Sequence, residues 1–200
     1  MKTAPIHSRE FQRIQSLKSA NLLDSPSEIK FDFITQMALD ICETSIALIS
    51  LVDEERQYFK SKIGLDVEST PRQLAFCAHA ILQDEIFEVS NALNDDRFFD
   101  NPLVLSAPNI RFYAGVPVIW KDNLPLGTLC VIDTEPKTLS QHQKDCLKYL
   151  AASVSQVITI REEMAMLQME TLELAKKEID LIQKRKTFLN EINKFKKAIR

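Results

Sequence analysis

Apolar residues at helical spacing predict two helices at the start of the chain. In the first, Phe11, Ile14 and Leu17 recur every three residues, and the Asp-Ser-Pro sequence at 24–26 predicts its end. The second begins after Ser27, a residue type that favours the N-cap position. Its apolar positions form one stripe along a helix: Ile29, Phe33, Ile34, Met37, Ala38 and Ile41.

Apolar residues that alternate or cluster in short runs predict two pairs of strands further along the chain. Residues 46–53 and 57–63 are short, rich in β-forming residues and separated by the turn Glu54–Glu55, which predicts a hairpin. Residues 110–120 and 124–133 flank a turn at 121–123, and every even position from Ile110 to Trp120 is apolar. Residues 64–109 are less regular, with a short helix expected within 72–83 and a short strand at 86–89.

A long helix is predicted from about Gln141 to the end of the chain, and its second half carries a heptad repeat. We expect a domain over residues 1–157 and a separate signalling helix over 158–200 that pairs as a parallel coiled-coil dimer. The companion heptad line is polar at Thr171, Glu178 and Arg185, so the helix could instead dock on another partner. The residues expected at the dimer seam are Ile160, Met164, Leu167, Leu174, Leu181, Phe188, Ile192 and Phe195.

Composition and charge narrow the class of protein. The chain has 200 residues, is 45% hydrophobic and carries a formal net charge of −3, which is ordinary for a globular protein and gives no electrostatic case for nucleic acid. We find no apolar run long enough to span a bilayer and no apolar signal segment at the N-terminus. The expectation is a cytoplasmic protein with neither nucleic acid nor membrane as a partner.

The residues with catalytic potential form no recognised catalytic or metal-binding motif. The four cysteines are not in C-x-x-C pairs or zinc-like spacing, so we expect free thiols and no metal site. The Asp residues at 95, 96 and 100 lack the ligand order of a calcium loop. No G-x-S-x-G, H-E-x-x-H or P-loop pattern occurs. We therefore expect no enzymatic activity.

Several segments in order resemble the GAF domain family, in particular the bacterial GAF domains that precede histidine kinase or diguanylate cyclase modules. The resemblance covers about residues 10–157 and implies a PAS-related α+β fold. In such a fold the terminal helices cover one face of an antiparallel sheet of about six strands, and residues 64–109 roof a small-molecule pocket on the other face. The resemblance is carried by LLDSPSEIKFDFITQMA, ISLVDEERQYFKSKIGLD, TPRQLAFCAHAIL, DDRFFDNPLV, IRFYAGVPV and LGTLCVIDTEPKTLS.

The resemblance leaves the identity of any ligand or cofactor unknown. The cyclic-nucleotide-binding pattern Asn-Lys-Phe-x-x-x-Phe-x-x-x-Asp-Glu cannot be placed, although cyclic nucleotide binding stays possible. Bilin-binding relatives have cysteine directly followed by histidine, whereas Ala78 separates Cys77 from His79. Arg111 could bind an anionic ligand or pair with an acidic residue near position 95 or 100. The residues expected to bind a ligand are Phe76, Cys77, His79, Arg111, Tyr113 and Asp133.

The function that these observations favour is a non-catalytic sensory or regulatory module. It would bind a small molecule or a partner and transmit the change through a dimeric C-terminal helix to a downstream signalling partner. One alternative is a thiol-redox GAF enzyme that uses Cys77 and Cys130. Another is a ligand-free dimerisation scaffold whose pocket is filled by its own bulky residues, namely Phe76, Phe98, Phe99 and Phe112.

Overall fold

A computed structural model describes residues 1–198, with backbone alone from residue 195. Three short 3-10 turns, at Arg72–Leu74, Ala92–Asn94 and Lys121–Asn123, supplement the main elements. In chain order, the helices and strands are α1 (Glu10–Ser19), α2 (Ile29–Cys42), β1 (Ile46–Val52), β2 (Arg56–Ile63), β3 (Ser69–Pro71), α3 (Phe76–Ala80), β4 (Phe87–Val89), α4 (Pro102–Leu105), β5 (Phe112–Trp120), β6 (Leu124–Asp133) and α5 (Gln141–Ala198).

The six strands form one antiparallel sheet in the order β3-β2-β1-β6-β5-β4. Hairpins join β1 to β2 and β5 to β6, and the long-range pairing of β1 with β6 places the two hairpins side by side. The α+β class and the sheet of six antiparallel strands with flanking helices confirm the fold expected from the sequence.

Both faces of the central strands are covered, which is why all seven residues of β1 are buried. Side chains alternate across a strand, so Ala47, Ile49 and Leu51 join the core beneath the helices, whereas Leu48 faces the side on which α3 lies. The helix-side core also contains residues from α1, α2, β5, β6 and the first part of α5. We call the opposite side, covered by α3 and residues 87–110, the roof side.

Several local expectations were wrong in detail. Ile29 and Phe33 are 84% and 65% exposed, because α2 turns Phe31, Ile34 and Ala38 towards the sheet instead. Phe11 is 74% exposed, because α1 buries Arg13, Ile14 and Leu17. The residue at the N-cap of α2 is Glu28 and not Ser27.

The irregular segment was also predicted too coarsely. The helix expected within 72–83 is a 3-10 turn followed by α3, and two further elements, β3 and α4, were not anticipated. Both have only three or four residues, which is too short for a periodic pattern to appear in the sequence.

A buried ion-pair cluster fixes α1 to the turn before α3. Arg13, fully buried, bonds Glu10 through two nitrogen–oxygen contacts of 2.7 and 2.9 Å. Arg72 bonds the same carboxylate at 2.5 Å and the backbone oxygen of Asp53 at 3.0 Å. Burial raises the pKa of Glu10, but the hydrogen bonds and charges of Arg13 and Arg72 outweigh that effect and hold it at about 2.

The chain divides into two compact units, Met1–Thr159 and the described residues of α5 from Ile160 onward. Throughout the part of the chain that the structure describes, no helix combines the length and apolar character needed to cross a membrane.

Replacing Glu10 by Gln is expected to destabilise the fold by about 3 kcal/mol, because the buried guanidinium of Arg13 loses its counter-charge. The pKa of Glu10 is depressed in the folded state, so its contribution is present above about pH 4.5 and is lost as the pH falls towards 2. Urea unfolding at several pH values measures both effects. Glu85→Gln, at an exposed pair with Lys148, is the control; an equal loss in the two variants would contradict the expectation.

Candidate functional site

Four aromatic rings pack together between α3 and the sheet. Phe76 of α3 stacks on Phe98 with ring centroids 3.9 Å apart and lies 5.2 Å from the ring of Tyr113. Phe87 of β4 contacts Phe98 and Tyr113 at 6.2 and 5.9 Å. We call these four residues the aromatic cluster. All four are buried, so their side chains occupy the region in which the resemblance implies a small-molecule pocket.

Only two of the four phenylalanines expected to fill the pocket contribute to this cluster. Phe76 and Phe98 do so, whereas Phe99 is 50% exposed and Phe112 belongs to the helix-side core. The expectation was wrong for Phe112 because strand alternation turns it to the face opposite Tyr113. Phe87 was missed because β4 has only three residues and carries no alternating pattern of its own.

Two thiols meet beneath α3, next to the aromatic cluster. The Sγ atoms of Cys77 in α3 and Cys130 in β6 are 3.8 Å apart, and the Tyr113 hydroxyl donates to the Cys77 sulfur at 3.3 Å. Cys77, Cys130 and Tyr113 are each 0–1% exposed. These groups come together because Gly115 pairs with Cys130 in the sheet, and the Tyr113 hydroxyl lies over Gly115 where a Cβ atom would collide with it.

Two buried hydroxyls on neighbouring strands belong to the same polar cluster. Ser50 of β1 is the sheet partner of Thr128 of β6, and both residues are fully buried. Among the described residues, neither hydroxyl has a hydrogen-bond partner. Their protons are therefore free to turn towards the Cys77 sulfur. We call Ser50, Cys77, Tyr113, Thr128 and Cys130 the thiol cluster.

The surroundings of the two thiols make them chemically unequal. Burial raises the pKa of Cys77, but the polar hydrogens of Cys130, Thr128, Tyr113 and Ser50 outweigh burial and lower it to about 7. Burial and the neighbouring Cys77 raise the pKa of Cys130 well above its ordinary value. Of the two thiols, Cys77 is therefore the one that ionises more readily, and the thiolate is the reactive form of cysteine. By contrast, burial raises the pKa of Cys42 to about 11.

His79 lies at the outer edge of the aromatic cluster, under the N-terminal segment of the chain. Its ring meets Phe98 edge-on at a centroid distance of 4.9 Å, and its Nε2 atom is 3.1 Å from the backbone oxygen of Lys2. The Lys2 amide donates to the Arg97 carbonyl at 3.1 Å. Burial lowers the pKa of His79. His79 and Cys77 therefore make different contacts, although only one residue separates them.

Arg111 and Asp133 are outside both clusters. Arg111 precedes β5, and its guanidinium donates to the backbone oxygens of Val104 and Ile110 at 2.8 and 3.1 Å. The acidic residues suggested as its partners are paired elsewhere, Asp95 with Arg97 and Asp100 with the N-terminal amine. The expected pairing of Arg111 with a nearby carboxylate was therefore wrong.

Asp133 closes β6 in a turn. Its Oδ1 atom accepts hydrogen bonds from the Ser45 hydroxyl at 3.2 Å and from the Thr134 amide at 2.8 Å. In sum, of the six expected ligand-binding residues the structure places Phe76, Cys77 and Tyr113 in direct contact, His79 at the margin, and Arg111 and Asp133 elsewhere.

The sequence alone did not identify Ser50 and Thr128 as site residues. A signal was present: each is a polar residue inside a run that is otherwise apolar, ISLV in β1 and LGTLCVI in β6. A polar residue within a strand buried on both faces marks a position where the interior is not purely hydrophobic. Within the described residues, no group of three or more His, Cys, Asp or Glu could hold a metal ion.

A surface cavity of about 380 Å³ borders the outer side of α3. Its lining includes Thr3, Ala4 and Ile6 of the N-terminal segment, together with Arg72 and Ala78. Since Ala78 directly follows Cys77 in the chain, this cavity lies beside the helix that carries the reactive thiol.

Replacing Tyr113 by Phe is expected to raise the pKa of Cys77, because the hydroxyl that donates to its sulfur is removed. At neutral pH we expect alkylation of Cys77 by iodoacetamide to slow by about two- to tenfold, with a stability loss of about 1 kcal/mol. The rate against pH, followed by peptide mass spectrometry, measures this. Tyr149→Phe, on an exposed ring, is the matched control. An unchanged rate profile in Tyr113→Phe would show that the hydroxyl does not tune the thiol.

Comparisons with known proteins agree with this architecture. The family model for the GAF domain matches residues 28–158. Among curated proteins, the cyclic di-GMP phosphodiesterase PA2567 of Pseudomonas aeruginosa is 42% identical over 163 residues. That match includes 80% of this chain but only 28% of the relative, so the chain spans less than a third of the curated protein.

Solved structures of low sequence identity show the same fold. The GAF domain of a phosphoenolpyruvate-protein phosphotransferase from Acinetobacter aligns over 77% of this chain and 97% of its own, with a TM-score of 0.54 and 22% identity. The blue-light absorbing form of the PixJ GAF domain from Thermosynechococcus elongatus aligns over 84% of this chain and 97% of its own, with a TM-score of 0.55 and 13% identity.

Proposed function

Because this chain belongs to the GAF domain family, we propose that it is a non-catalytic sensory module that transmits a change in its domain through a dimeric C-terminal helix. The observation that carries the proposal is the row of apolar side chains left exposed along α5. At the expected dimer seam, Ile160, Leu167, Leu174, Leu181 and Phe188 are between 48% and 65% exposed in the single chain. Such a row is stabilised when a second helix covers it.

The remaining seam residues fit the same proposal. Met164 is 50% exposed and Ile192 is partly exposed, whereas the side chain of Phe195 lies outside the described residues. We propose a second copy of this chain as the occupant, because a heptad repeat matches itself in a parallel pair. A parallel arrangement would also place two identical domains at the same end of the coiled coil.

A second apolar line runs beside the first in the middle of the helix. Where the companion positions of the first seam are polar, Leu172, Ile179, Ile182 and Leu189 are 47–57% exposed. From Leu172 through Ala175 to Ile182 the spacing alternates between three and four residues, as a coiled-coil seam needs, and Leu189 follows one heptad after Ile182 with Lys186 at the position between them. The two lines are offset by one residue. We propose that the helix pair uses both, and that a rotation of each helix by about 100° about its own axis, the angle between successive residues, exchanges one seam for the other.

Contacts between the sheet and the first part of α5 support the proposal that a structural change in the domain is transmitted to the helix. Leu147, Leu150 and Val154 of α5 belong to the helix-side core, and the Trp120 indole at the end of β5 donates to the Thr159 hydroxyl at 3.1 Å. A shift of the central strands would therefore move the start of the helix. A signal can bias the helix only by its difference in affinity for the two arrangements.

The double substitution Leu174→Asp and Leu181→Asp is expected to convert a dimer into a folded monomer, because charges at the seam oppose helix pairing. Light scattering coupled to size exclusion measures the mass, and circular dichroism verifies folding. The control, Lys176→Asp with Lys184→Asp, adds negative charge at polar positions of the same helix and should remain dimeric. A monomeric wild type, or a double-Asp variant that remains dimeric, contradicts the dimer seam.

Cross-linking then separates the two seams. In a background without native cysteines, single cysteines at positions 174 and 181 report the first seam, whereas cysteines at 175 and 182 report the second. We expect single cysteines at both pairs of positions to form inter-chain disulfides in this background. Cysteines at 176 and 183, on the far side of the helix, are the control. Cross-linking of the first pair alone would refute rotation between two seams.

The aromatic cluster favours a second candidate, a module with no resident small molecule. Its rings already fill the roof side, and any ligand there would have to displace them. We therefore expect that denaturing freshly purified protein releases no compound in a one-to-one ratio to the chain, as judged by mass spectrometry. Release of a stoichiometric metabolite, nucleotide or tetrapyrrole would instead establish an occupied sensor pocket.

The relative in Pseudomonas aeruginosa suggests the type of output. That protein is a cyclic di-GMP phosphodiesterase, and this chain matches 28% of it. We propose that the present chain regulates a signalling enzyme of this kind and does not itself carry the activity. Four cysteines without disulfides support our proposal of a reducing, cytoplasmic location in a bacterium.

A further inference from the structure

The thiol cluster contains two cysteines that are poised to form a disulfide. Their sulfur atoms are 3.8 Å apart, and a disulfide bond needs about 2.05 Å. The approach required is less than 2 Å and can be shared between α3, a helix of five residues, and β6. Among the described residues, Cys42 and Cys146 interact electrostatically but form no sulfur–sulfur hydrogen bond, and the Cys146 sulfur lies 3.7 Å from the Nε2 atom of His142.

We propose that Cys77 and Cys130 form a reversible oxidation site for small hydroperoxides, independent of whether the C-terminal helix dimerises. Two features of the site assign the roles. The Tyr113 hydroxyl donates to the Cys77 sulfur, and Ser50 and Thr128 present hydroxyl protons without other partners. These donors stabilise a thiolate on Cys77. Cys130, lying behind it on β6, is the resolving thiol.

The chemistry balances with hydrogen peroxide as the oxidant. The Cys77 thiolate attacks one peroxide oxygen, the O–O bond breaks, and the other oxygen leaves as hydroxide and takes up the proton released by the thiol, forming water. The Cys130 thiol then attacks the resulting sulfenic acid, forming the S–S bond and releasing a second water. Two thiols lose two electrons and two protons, and the peroxide is reduced to two waters. A dithiol reductant reverses the step.

Access to the buried pair requires local opening of α3. The cavity of about 380 Å³ lies against this helix and is lined by Thr3, Ala4 and Ile6 on one side and Ala78 on the other. The N-terminal segment is held there by the His79–Lys2 bond, the bond from the Lys2 amide to the Arg97 carbonyl and the ion pair of the N-terminal amine with Asp100. Local opening costs less free energy than global unfolding, so a molecule as small as peroxide would reach Cys77 when this segment and α3 open together.

Disulfide formation would restrict the movement of α3. It would tie the helix on the roof side to β6 in the centre of the sheet, across a sequence separation of 53 residues. A cross-link of that span restricts the unfolded chain. We therefore expect the oxidised protein to have a thermal midpoint higher by about 5–10 °C, and α3 to lose its freedom to open.

The experiment uses the full chain with Cys42→Ser and Cys146→Ser, so that only the two proposed thiols remain. Folded protein is treated with millimolar hydrogen peroxide at neutral pH and analysed by intact-mass spectrometry and peptide mapping. We expect the loss of two hydrogens per chain, a peptide pair linked through Cys77 and Cys130, full reversal by dithiothreitol and the higher thermal midpoint.

Single variants in the same background test the roles. With Cys130→Ser, Cys77 should accumulate as a sulfenic acid that dimedone traps; with Cys77→Ser, Cys130 should remain unmodified. Wild-type protein is the parallel sample, and its Cys42, whose pKa burial raises, should remain a thiol.

The proposal is overturned if the folded protein retains both thiols after hours in peroxide, or if linkage appears only in urea. It is also overturned if Cys77→Ser and Cys130→Ser are oxidised at equal rates, since the roles would then be unassigned by the structure. The mass measurement on wild-type protein needs no substitution. If either single variant fails to fold, peroxide treatment of the wild-type protein still decides whether the disulfide forms.

Discussion

The pairing of β1 with β6 is the constraint on which the rest of this structure depends. These two strands are not adjacent in sequence, and their ladder joins the two hairpins into one sheet. The strands approach closely, since a Cβ atom on Gly127 would overlap the backbone of Ser50 and Leu51. Such contact is possible only for glycine. Both strands then lie at the centre of the sheet, where neither face can remain in water.

Covering two faces requires two different layers. The helix side is covered by three helices whose apolar residues merge into one core. The roof side is covered by short helices, short strands and turns, and its core includes four large aromatic side chains, those of Phe76, Phe87, Phe98 and Tyr113. The aromatic cluster is thus a consequence of sheet geometry as much as a candidate binding site.

The sequence anticipated the regular parts of this fold well and the roof poorly. The boundaries of β6 and the start of α5 agree with the expectation, because a long run of alternation or helical periodicity reports directly on burial. The packing on the roof side depends on contacts between residues that are distant in sequence, and such contacts leave no periodic pattern in any one segment. Phe87 enters the cluster only because β4 pairs with β5.

The site residues illustrate the same limit. Cys77 and Cys130 were named together on the strength of a family resemblance, but their sulfur–sulfur distance depends on how α3 seats against the sheet. Arg111 was expected to lie within a strand that begins at residue 110, yet β5 begins only at Phe112. Its guanidinium donates to backbone carbonyls instead. Alternation predicts a face only within a strand, so it gives no information on a residue that lies just before the strand begins.

Strand alternation also explains how events on the roof side could reach the helix side. In β6, Cys130 faces the roof, whereas its neighbours Leu129 and Val131 face the helix-side core that contains Leu147 and Val154 of α5. A displacement of β6 that begins at the thiol cluster would therefore reach α5 through Leu129 and Val131, on the opposite face of the same strand. Close packing resists gradual deformation, so such a displacement favours a change between discrete arrangements. The two seams that we propose for the helix, offset by one residue, would be two arrangements of that kind.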